Sequence, residues 1–397
     1  MSNKSNGLGF LTEDYQALFQ KQWTPWVGGI LLGLLNVMMF AYAKPWAVAE
    51  GVQNWGLWVL KWFGFVEGDL STPWQFTTSV TTIALLFGAM IAALLSKEFA
   101  FRFTYRRDVV RALIGGALLG IGSVLGIGCT IGGFFSAYAA LSLAGPLMMI
   151  GLGIGAYIGL RILLWDLARE NTPAQPATTS GGDRSIQPYI GLALIGVVVL
   201  LLLFDDTTFT AGQTEGLRSV LVLFGVLLGI VNQRARFCFV RAFREPFMTG
   251  EGAMTKGAVL ALLVGVVGFS IIKGTDLSDM RDPLAGVNPS VFLGSLLGGI
   301  IFGIGMILTG GCASGSLWRA GEGQMKLWVV LAMFAIFNAI TNRVLIATGW
   351  RSVWGDTAVF MPDSFGWTAS IAILVGLALA WAVLIAWNER SEKMVIS

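Results

Sequence analysis

Three cysteines, Cys129, Cys238 and Cys312, are the side chains of this sequence best suited to chemistry. Their number is odd and no two form a C-x-x-C pair, so a disulfide framework is not expected. The chain has 397 residues and no histidine, which removes the usual general base, proton shuttle and metal ligand. A buried thiol is then a weak hydrogen-bond donor with a polarizable surface, whereas three thiolates together would suit Cu(I) or Zn.

Two of the cysteines end the same glycine-rich pattern. Residues 116–132 and 299–315 are identical at eight of 17 aligned positions, with Cys129 opposite Cys312. This duplication predicts an internal repeat, which is typical of transporters that bind their substrate at the repeat interface. The pattern also contains glycines at four-residue spacing, which are expected to let helices pack closely. These are Gly116, Gly120, Gly299 and Gly303.

The glycines directly before these two cysteines, Gly128 and Gly311, belong to clusters that can interrupt a helix. A short helix could restart after each interruption, near residues 132–142 and 314–320. The N-terminus of such a helix carries free N–H groups and attracts anions. A broken helix at membrane depth is tolerated only where it lines protein or a cavity. The sequence therefore predicts two breaks with free backbone groups, one in each repeat.

Cys238 lies between two phenylalanines and close to several arginines, including Arg236 and Arg244. Two explanations of these arginines stay open: they attract an anion, or they follow from the positive-inside rule. A weaker similarity aligns residues 237–239 with 99–101, at an offset of 138. If that pairing is correct, the first half has an alanine where the second half has Cys238.

A further charged pair follows Cys312 within a few residues. Arg319 and Glu322 are close enough in sequence to form an ion pair that would hold the loop. We interpret them as structural by default, with attraction of an anion as the functional alternative.

Composition indicates which elements must position these residues. The chain is 55% hydrophobic and 12% charged, whereas soluble domains carry about 25% charged residues. Apolar segments of about 20 residues are long enough to cross a bilayer, where helices satisfy the backbone internally. We expect an all-α polytopic membrane protein with about nine or ten spans and short re-entrant helices. The candidate spans are 26–43, 76–95, 111–128, 146–164, 188–204, 217–232, 255–273, 289–309, 326–345 and 366–387.

A polar segment near the middle of the chain divides it into two parts. We expect a first membrane half at 1–169, a linker at 170–187 and a second half at 188–397. Residues 1–25 are polar and are expected to be a cytoplasmic segment. Residues 44–75 carry five tryptophans, which favour the headgroup level, and are expected to be an external interfacial connection.

Loop charges predict the orientation of the spans. Basic residues follow the second and sixth spans, which indicates cytoplasmic loops, whereas the acidic segments 205–215 and 276–282 are expected outside. The third span would then run outward into Cys129 and the eighth inward into Cys312. The repeat is therefore expected to be inverted.

These motifs resemble a known family. The stretch from Arg236 through Cys238 to Arg244, the Gly-Gly-Cys312 motif, and Arg319 to Gln324 with its Glu-Gly-Gln ending are similar to the YeeE/YedE family of sulfur-compound transporters. The Gly128-Cys129 motif fits as well, and the length resembles the single-chain YedE-like branch. The resemblance covers roughly residues 76–387.

The resemblance implies uptake of thiosulfate or a related sulfur oxyanion across a bacterial inner membrane. It implies that Cys129, Cys238 and Cys312 line the substrate path, and that a small cytoplasmic sulfur-carrier protein is a partner. Some YedE-like members are linked to selenium, so a selenium compound is an alternative substrate. A membrane thiol oxidoreductase or sulfurtransferase, or a soft-metal site, are further alternatives. We expect a non-enzymatic protein without cofactor, resident metal or nucleic-acid partner.

Overall fold

The computed structural model of the chain describes residues 15, 19–169, 178–180, 184–204, 208–209, 216–275, 285–288, 293–350 and 358–396. Within these ranges, ten helical segments are long and apolar enough to cross a membrane, and each overlaps one predicted span. The prediction of an all-α polytopic fold is therefore confirmed. The predicted linker and both acidic segments lie largely outside the described residues, so the division into halves and the loop orientation stay predictions.

The elements before the predicted linker are helical apart from one short strand. They are α1 (Pro25–Tyr42), α2 (Ala49–Trp62), α3 (Thr77–Leu95), β1 (Phe101–Phe103), α4 (Arg106–Leu125), the π-helical segment π1 (Thr130–Ser136), its one-turn extension α5 (Ala137–Ala139) and α6 (Ala144–Ala168).

The later elements include three more short strands. They are β2 (Thr178–Ser180), α7 (Gln187–Phe204), β3 (Thr208–Phe209), β4 (Gly216–Leu217), α8 (Arg218–Arg234), α9 (Phe239–Met248), α10 (Ala253–Gly274), α11 (Leu293–Thr309), α12 (Ala313–Gly321), α13 (Met325–Ala347), α14 (Met361–Phe365) and α15 (Trp367–Ser391). The strands β1 and β2 pair antiparallel, as do β3 and β4.

The helix contacts repeat in a way that defines two equivalent units. The helix α1 packs on α10 and α3 packs on α8, while α4 packs on α13 and α6 packs on α11. Each of these contacts has an equivalent in the other unit: α1–α10 corresponds to α3–α8, and α4–α13 corresponds to α6–α11. The correspondence matches the elements in order, α1, α2, α3, α4, π1 and α6 with α8, α9, α10, α11, α12 and α13. The helices α7 and α15 have no counterpart and lie at the periphery, where α7 packs only on α3 and α8 among its principal contacts.

The central pair of this repeat, α4 and α11, is antiparallel. Gly115 of α4 lies against Gly305 of α11, whereas Gly122 lies against Gly298, so the residue numbers run in opposite directions. Because α4 and α11 are equivalent helices of the two units, the repeat is inverted, as the sequence predicted.

The glycine spacing shared by the two copies of the duplicated pattern serves helix packing, as expected. A Cβ atom on Gly116 would lie 2.8 Å from the carbonyl oxygen of Val330 in α13. In the equivalent contact, a Cβ on Gly299 would lie 2.8 Å from the carbonyl oxygen of Met148 in α6. Close backbone approach on this scale requires glycine.

The tryptophan-rich segment 44–75 is more buried than its predicted interfacial position would allow. Trp46 is only 1% exposed, and the helix α2 packs between α3 and α13. A Cβ on Gly56 would lie 1.9 Å from the carbonyl oxygen of Ala335, so glycine lets this helix enter the bundle. The helix α2 thus packs inside the bundle, while Trp62 and Trp74 are exposed, and the interfacial depth of the segment stays a prediction.

The weaker sequence pairing of residues 99–101 with 237–239 is also wrong. Residue 101 begins the strand β1, whereas Phe239 begins the helix α9. By helix order and contacts, the counterpart of α9 is α2, and the residue that precedes α2 is Val48. The first repeat thus has Val48 where the second has Cys238.

Candidate functional site

Each of the three cysteines is the N-cap residue of a short helix inside the bundle. Cys129 precedes π1, Cys238 precedes α9 and Cys312 precedes α12. All three are free thiols that are at most 1% exposed. The short helices predicted to restart after Cys129 and Cys312 are therefore present, and Cys238 occupies the same kind of position.

At the first break, the backbone turns sharply before Cys129. Ile127 has a φ of +46° and Gly128 a φ of +150°, and a Cβ on Gly128 would lie 2.3 Å from the amide nitrogen of Gly133. The Cys129 sulfur accepts a hydrogen bond of 3.4 Å from the Ile131 amide. Only glycine fits this backbone conformation and this contact, which explains the Gly-Cys pair.

The N-terminus of α2 points at the same sulfur. The backbone N–H groups of Val48 and Ala49 are directed at the Cys129 sulfur. The loop before α2 is fixed by Trp46, whose amide donates to Asn36 at 2.8 Å and whose carbonyl accepts from the Ser136 hydroxyl at 2.7 Å. The positive ends of two helices, α2 and π1, thus converge on Cys129.

A residue from a distant connection completes this first break. The side-chain amide of Asn288 donates to the carbonyl oxygens of Gly126 and Ile127, at 3.0 and 2.9 Å. These are carbonyls that the end of α4 leaves without an intrahelical partner. Asn288 therefore satisfies these carbonyls, so the chain at the break is a hydrogen-bonded structure and not an unsatisfied helix end.

At the second break, Gly310 has a φ of +75° and the chain restarts as α12 after Cys312. The Cys312 sulfur accepts a hydrogen bond of 3.4 Å from the Gly315 amide. The guanidinium of Arg319 donates from Nη1 to the Gly310 carbonyl at 2.6 Å. A charged group therefore satisfies the freed carbonyl here, where a neutral amide does so at the first break.

Cys238 and Cys312 face each other across Gly315. The two thiols are hydrogen-bonding neighbours, and a Cβ on Gly315 would lie 3.3 Å from each sulfur, so glycine keeps this side of the thiol pair uncrowded. The Thr130 hydroxyl is fully buried, and its neighbour is the Cys312 thiol. Because Thr130 directly follows Cys129, the two breaks meet at this point.

A cavity of about 410 Å³ opens beside the first break. Its wall mixes apolar side chains with amides, hydroxyls and glycines, and Glu50 is the ionisable side chain among its lining residues. We call it the vestibule. It is lined by Pro45, Trp46, Ala47, Ala49, Glu50, Gln53, Phe76, Ser123, Val124, Ile127, Gly128, Gly132, Ser136, Gly286, Val287, Asn288, Asn338 and Asn342. Gly128 and Gly132 connect the vestibule to the loop that holds Cys129.

The opposite end of the bundle carries a network of charges. Arg236 pairs with Glu322 at 2.8 Å and with Glu98 at 2.9 Å, and its guanidinium lies over the Trp318 ring. Gln233 donates to both carboxylates. Burial raises the pKa of the Glu322 carboxyl, and Arg236 opposes that shift. Asp108 near this end of α4 and Ser123 at the vestibule are 15 residues apart, or about 22 Å along the helix.

The predicted Arg319–Glu322 pair is wrong. Glu322 is fully buried and pairs with Arg236, while Arg319 turns back to the Gly310 carbonyl. The difference arises because Glu322 lies just beyond the end of α12, where the chain turns toward the loop that follows α3. Arg236 and Glu322 are thus structural partners.

Several contributors to the site were absent from the sequence interpretation. The amides of Val48 and Ala49 carry no side-chain signal, and Thr130 and Asn288 are ordinary polar residues in sequence. Thr130 could have been identified from the sequence, because it directly follows the duplicated Gly-Cys motif. The soft-metal alternative needs three ligands together, and the described residues contain no group of three His, Cys, Asp or Glu side chains placed to hold a metal ion.

Comparison with known proteins gives a consistent result. A family model described as "Sulphur transport" matches residues 5–158 and 234–397. The chain is 26% identical to "Probable transporter YedE" of Escherichia coli over 93% of this chain and 94% of that protein, and equally similar to YedE of Salmonella typhimurium. It is 38% identical to the "Thiosulfate transporter TsuA" of Escherichia coli over 30% of this chain and 32% of that protein. With matched segments over most of its length and ten candidate spans, this multi-pass membrane protein belongs to the Sulphur transport family.

Proposed function

We propose that this protein imports thiosulfate through a path lined by its three cysteines. The observation that carries the proposal is the convergence of three buried thiols, each at a helix N-cap, between the vestibule and the charged end of the bundle. The TsuA relatives are named thiosulfate transporters, which supports the choice of this dianion.

The first step is capture from the vestibule. The dianion approaches Cys129 past Gly128 and Gly132, and the amides of α2 and π1 stabilise its charge without a fixed cation. A neutral thiol adds a weak donor and a polarizable surface for the terminal sulfur of the substrate. Such weak contacts suit transport, because tight binding would slow exit.

The second step passes the dianion from Cys129 to the Cys238–Cys312 pair. Thr130 supplies a buried hydroxyl next to the Cys312 sulfur. A thiol is a weak hydrogen-bond partner, so a passing oxyanion would be a stronger acceptor for this hydroxyl. The dianion then leaves along the side of the thiol pair that Gly315, which has no side chain, keeps uncrowded.

The driving force follows from the charge of the substrate. Moving a dianion inward against an inside-negative potential of 100 mV costs about 4.6 kcal/mol, twice the single-charge value. We propose that consumption of the sulfur compound inside the cell drives uptake, with a small sulfur-carrier protein as acceptor at the cytoplasmic face of the plasma membrane. By the loop-charge prediction, that face is the end that carries Arg236.

Purified protein in liposomes tests the proposal directly. Labelled thiosulfate, sulfite and sulfate are offered outside, and we expect thiosulfate to enter fastest. Replacement of Cys129, Cys238 or Cys312 by Ala, one at a time, should lower uptake at equal reconstitution. Met38→Ala, on the outer surface of α1 at 55% exposure, is the control and should be neutral. Full uptake in all three cysteine variants would exclude the path.

The rival reaction is covalent transfer of sulfur by a thiol enzyme. Serine variants separate the two, because serine keeps a hydrogen-bond donor but cannot carry a persulfide. We expect the serine variants to retain more uptake than the alanine variants and no cysteine persulfide by mass spectrometry during turnover. A persulfide together with inactive serine variants would instead support the sulfurtransferase.

A further inference from the structure

Arg244 is a half-buried cation that has no ion pair among the described residues. It lies on α9, and its Nε atom is buried and makes no hydrogen bond within the described chain. The ion pairs of the described residues use its neighbours instead: Arg241 pairs with Glu245, the nearest carboxylate. A guanidinium withdrawn from water without a counter-charge is costly, so it calls for an anion.

Arg244 is near both Cys238 and a second arginine. Its electrostatic neighbours include the Cys238 thiol and the guanidinium of Arg319, which is also close to Cys238. Lys326 at the start of α13 adds a third positive charge to the same cluster, and its partner Asp108 is 3.9 Å away and is shared with Arg111. Cations that approach one another in this way repel unless an anion joins them.

The arginines near Cys238 thus fall into two groups. Arg234 and Arg236 are neutralised by Glu98, and Arg236 also by Glu322. Arg244 and Arg319 have no carboxylate within 4 Å among the described residues. The positive-inside rule accounts for arginines at this end of the bundle. It does not account for a half-buried arginine whose buried Nε makes no hydrogen bond within the described chain.

We infer that Arg244 and Arg319 form a binding site for a divalent oxyanion directly beyond the Cys238–Cys312 pair. The inference rests on the proposed transport function and adds to it an anion-binding site at the exit of the path. The site takes the dianion when it leaves the neutral thiols. Guanidinium groups suit this role because their N–H forks match the oxygens of an oxyanion. Arg319 is held in place by its bond to the Gly310 carbonyl, which leaves its remaining N–H groups for the ligand.

Protection of Cys238 from alkylation tests the site without measuring transport. In purified protein with Cys129 and Cys312 replaced by Ser, a maleimide labels Cys238, and added thiosulfate should slow the labelling. In the Arg244→Gln variant, the thiosulfate concentration needed for half-protection should rise about tenfold or more, the expected loss for one charge-assisted bond. Lys256→Gln removes a surface cation paired with Glu389 and should leave protection unchanged.

A second measurement uses proteoliposomes with native cysteines. Arg244→Gln should lower the maximal rate of thiosulfate uptake and leave the external KM unchanged, because the site lies beyond the capture step. If Arg244→Gln does not fold, Arg244→Lys carries the test, since it keeps the charge but loses the fork. In Arg244→Lys, the thiosulfate concentration needed for half-protection of Cys238 should lie between that of the parent protein and the roughly tenfold higher value expected for Arg244→Gln.

The outcomes separate this inference from the proposed function. If the native protein imports thiosulfate but Arg244 variants protect Cys238 like the parent, the exit site is wrong and the transport function stands. If no sulfur oxyanion is imported and thiosulfate still protects Cys238 in an Arg244-dependent way, the anion site stands and the transport proposal falls.

Discussion

The two breaks of the inverted repeat share a backbone design but differ in the groups that surround the cysteine. At the first break, the Cys129 sulfur faces the amides of Val48 and Ala49, and the freed carbonyls bind the neutral amide of Asn288. At the second, the Cys312 sulfur faces the Cys238 thiol, and the Gly310 carbonyl binds a guanidinium.

This comparison shows how one scaffold can serve two steps. Fixed backbone dipoles attract an anion without holding it as a full charge would. In the proposed path, thiols followed by guanidinium groups would form a second, more positive environment. The two copies would then give the proposed path a direction, because the second copy carries Cys238 and the two arginines that lack an ion pair among the described residues.

The largest difference between the breaks should appear on replacing the glycine before each cysteine. Gly128→Ala would force a φ of +150° on alanine and place its Cβ 2.3 Å from the Gly133 amide nitrogen. The closest atom to a Cβ on Gly311 is instead the Ser316 hydroxyl at 2.6 Å, which belongs to a side chain that can rotate. We expect Gly128→Ala to cost at least about 3 kcal/mol and abolish uptake, and Gly311→Ala to cost clearly less.

Thermal unfolding in detergent and liposome uptake measure this difference. Gly153, which a Cβ could replace without any contact within 4 Å, provides the control as Gly153→Ala. Equal losses in Gly128→Ala and Gly311→Ala would contradict the distinction between a strained first break and a more tolerant second one.

A smaller effect is expected from removing the neutral cap of the first break. Asn288→Ala leaves the Gly126 and Ile127 carbonyls without that donor, which should cost about 2 kcal/mol. The unfolding midpoint should fall, and thiosulfate uptake should fall with it because the Cys129 loop loses its anchor. Gln53→Ala, another vestibule residue, is the matched control and should be nearly neutral. A stable and active Asn288→Ala protein would mean that the first break keeps its structure without the Asn288 side chain.

The smallest effect should come from introducing a cysteine at Val48, the position in the first repeat that is equivalent to Cys238. Val48→Cys replaces a buried residue by a small apolar one, so the stability change should stay within about 1.5 kcal/mol. In a Cys238→Ala background, dibromobimane should then bridge the introduced thiol and Cys129. Absence of the bridge in the folded variant would contradict the equivalence of Val48 and Cys238.

The sequence predicted what is local and missed what depends on distant packing. Hydropathy located the ten spans, and the duplicated glycines located the breaks at Cys129 and Cys312. The entry of α2 into the bundle could not be read, since it depends on Gly56 meeting Ala335, nearly three hundred residues later in the chain.

The predicted ion pair was wrong for the same reason. Arg319 and Glu322 are close in sequence, but Glu322 binds Arg236, 86 residues away, and Arg236 also binds Glu98, 138 residues away. Short separation favours a pair only when both side chains project to the same side. The position of Cys238 opposite Cys312 depends likewise on how α9 and α12 meet, which no local pattern encodes.

The pairing of α1 with α10, α3 with α8, α4 with α13 and α6 with α11 means that the two halves are interleaved rather than side by side. A rocking motion of one half against the other would have to shear four glycine-lined seams at once. Opening should therefore be confined to the short capped helices and their loops. Distances between spin labels on α4 and α13 should stay constant when thiosulfate is added, and a shift of one helical turn, about 5 Å, would contradict this rigid frame.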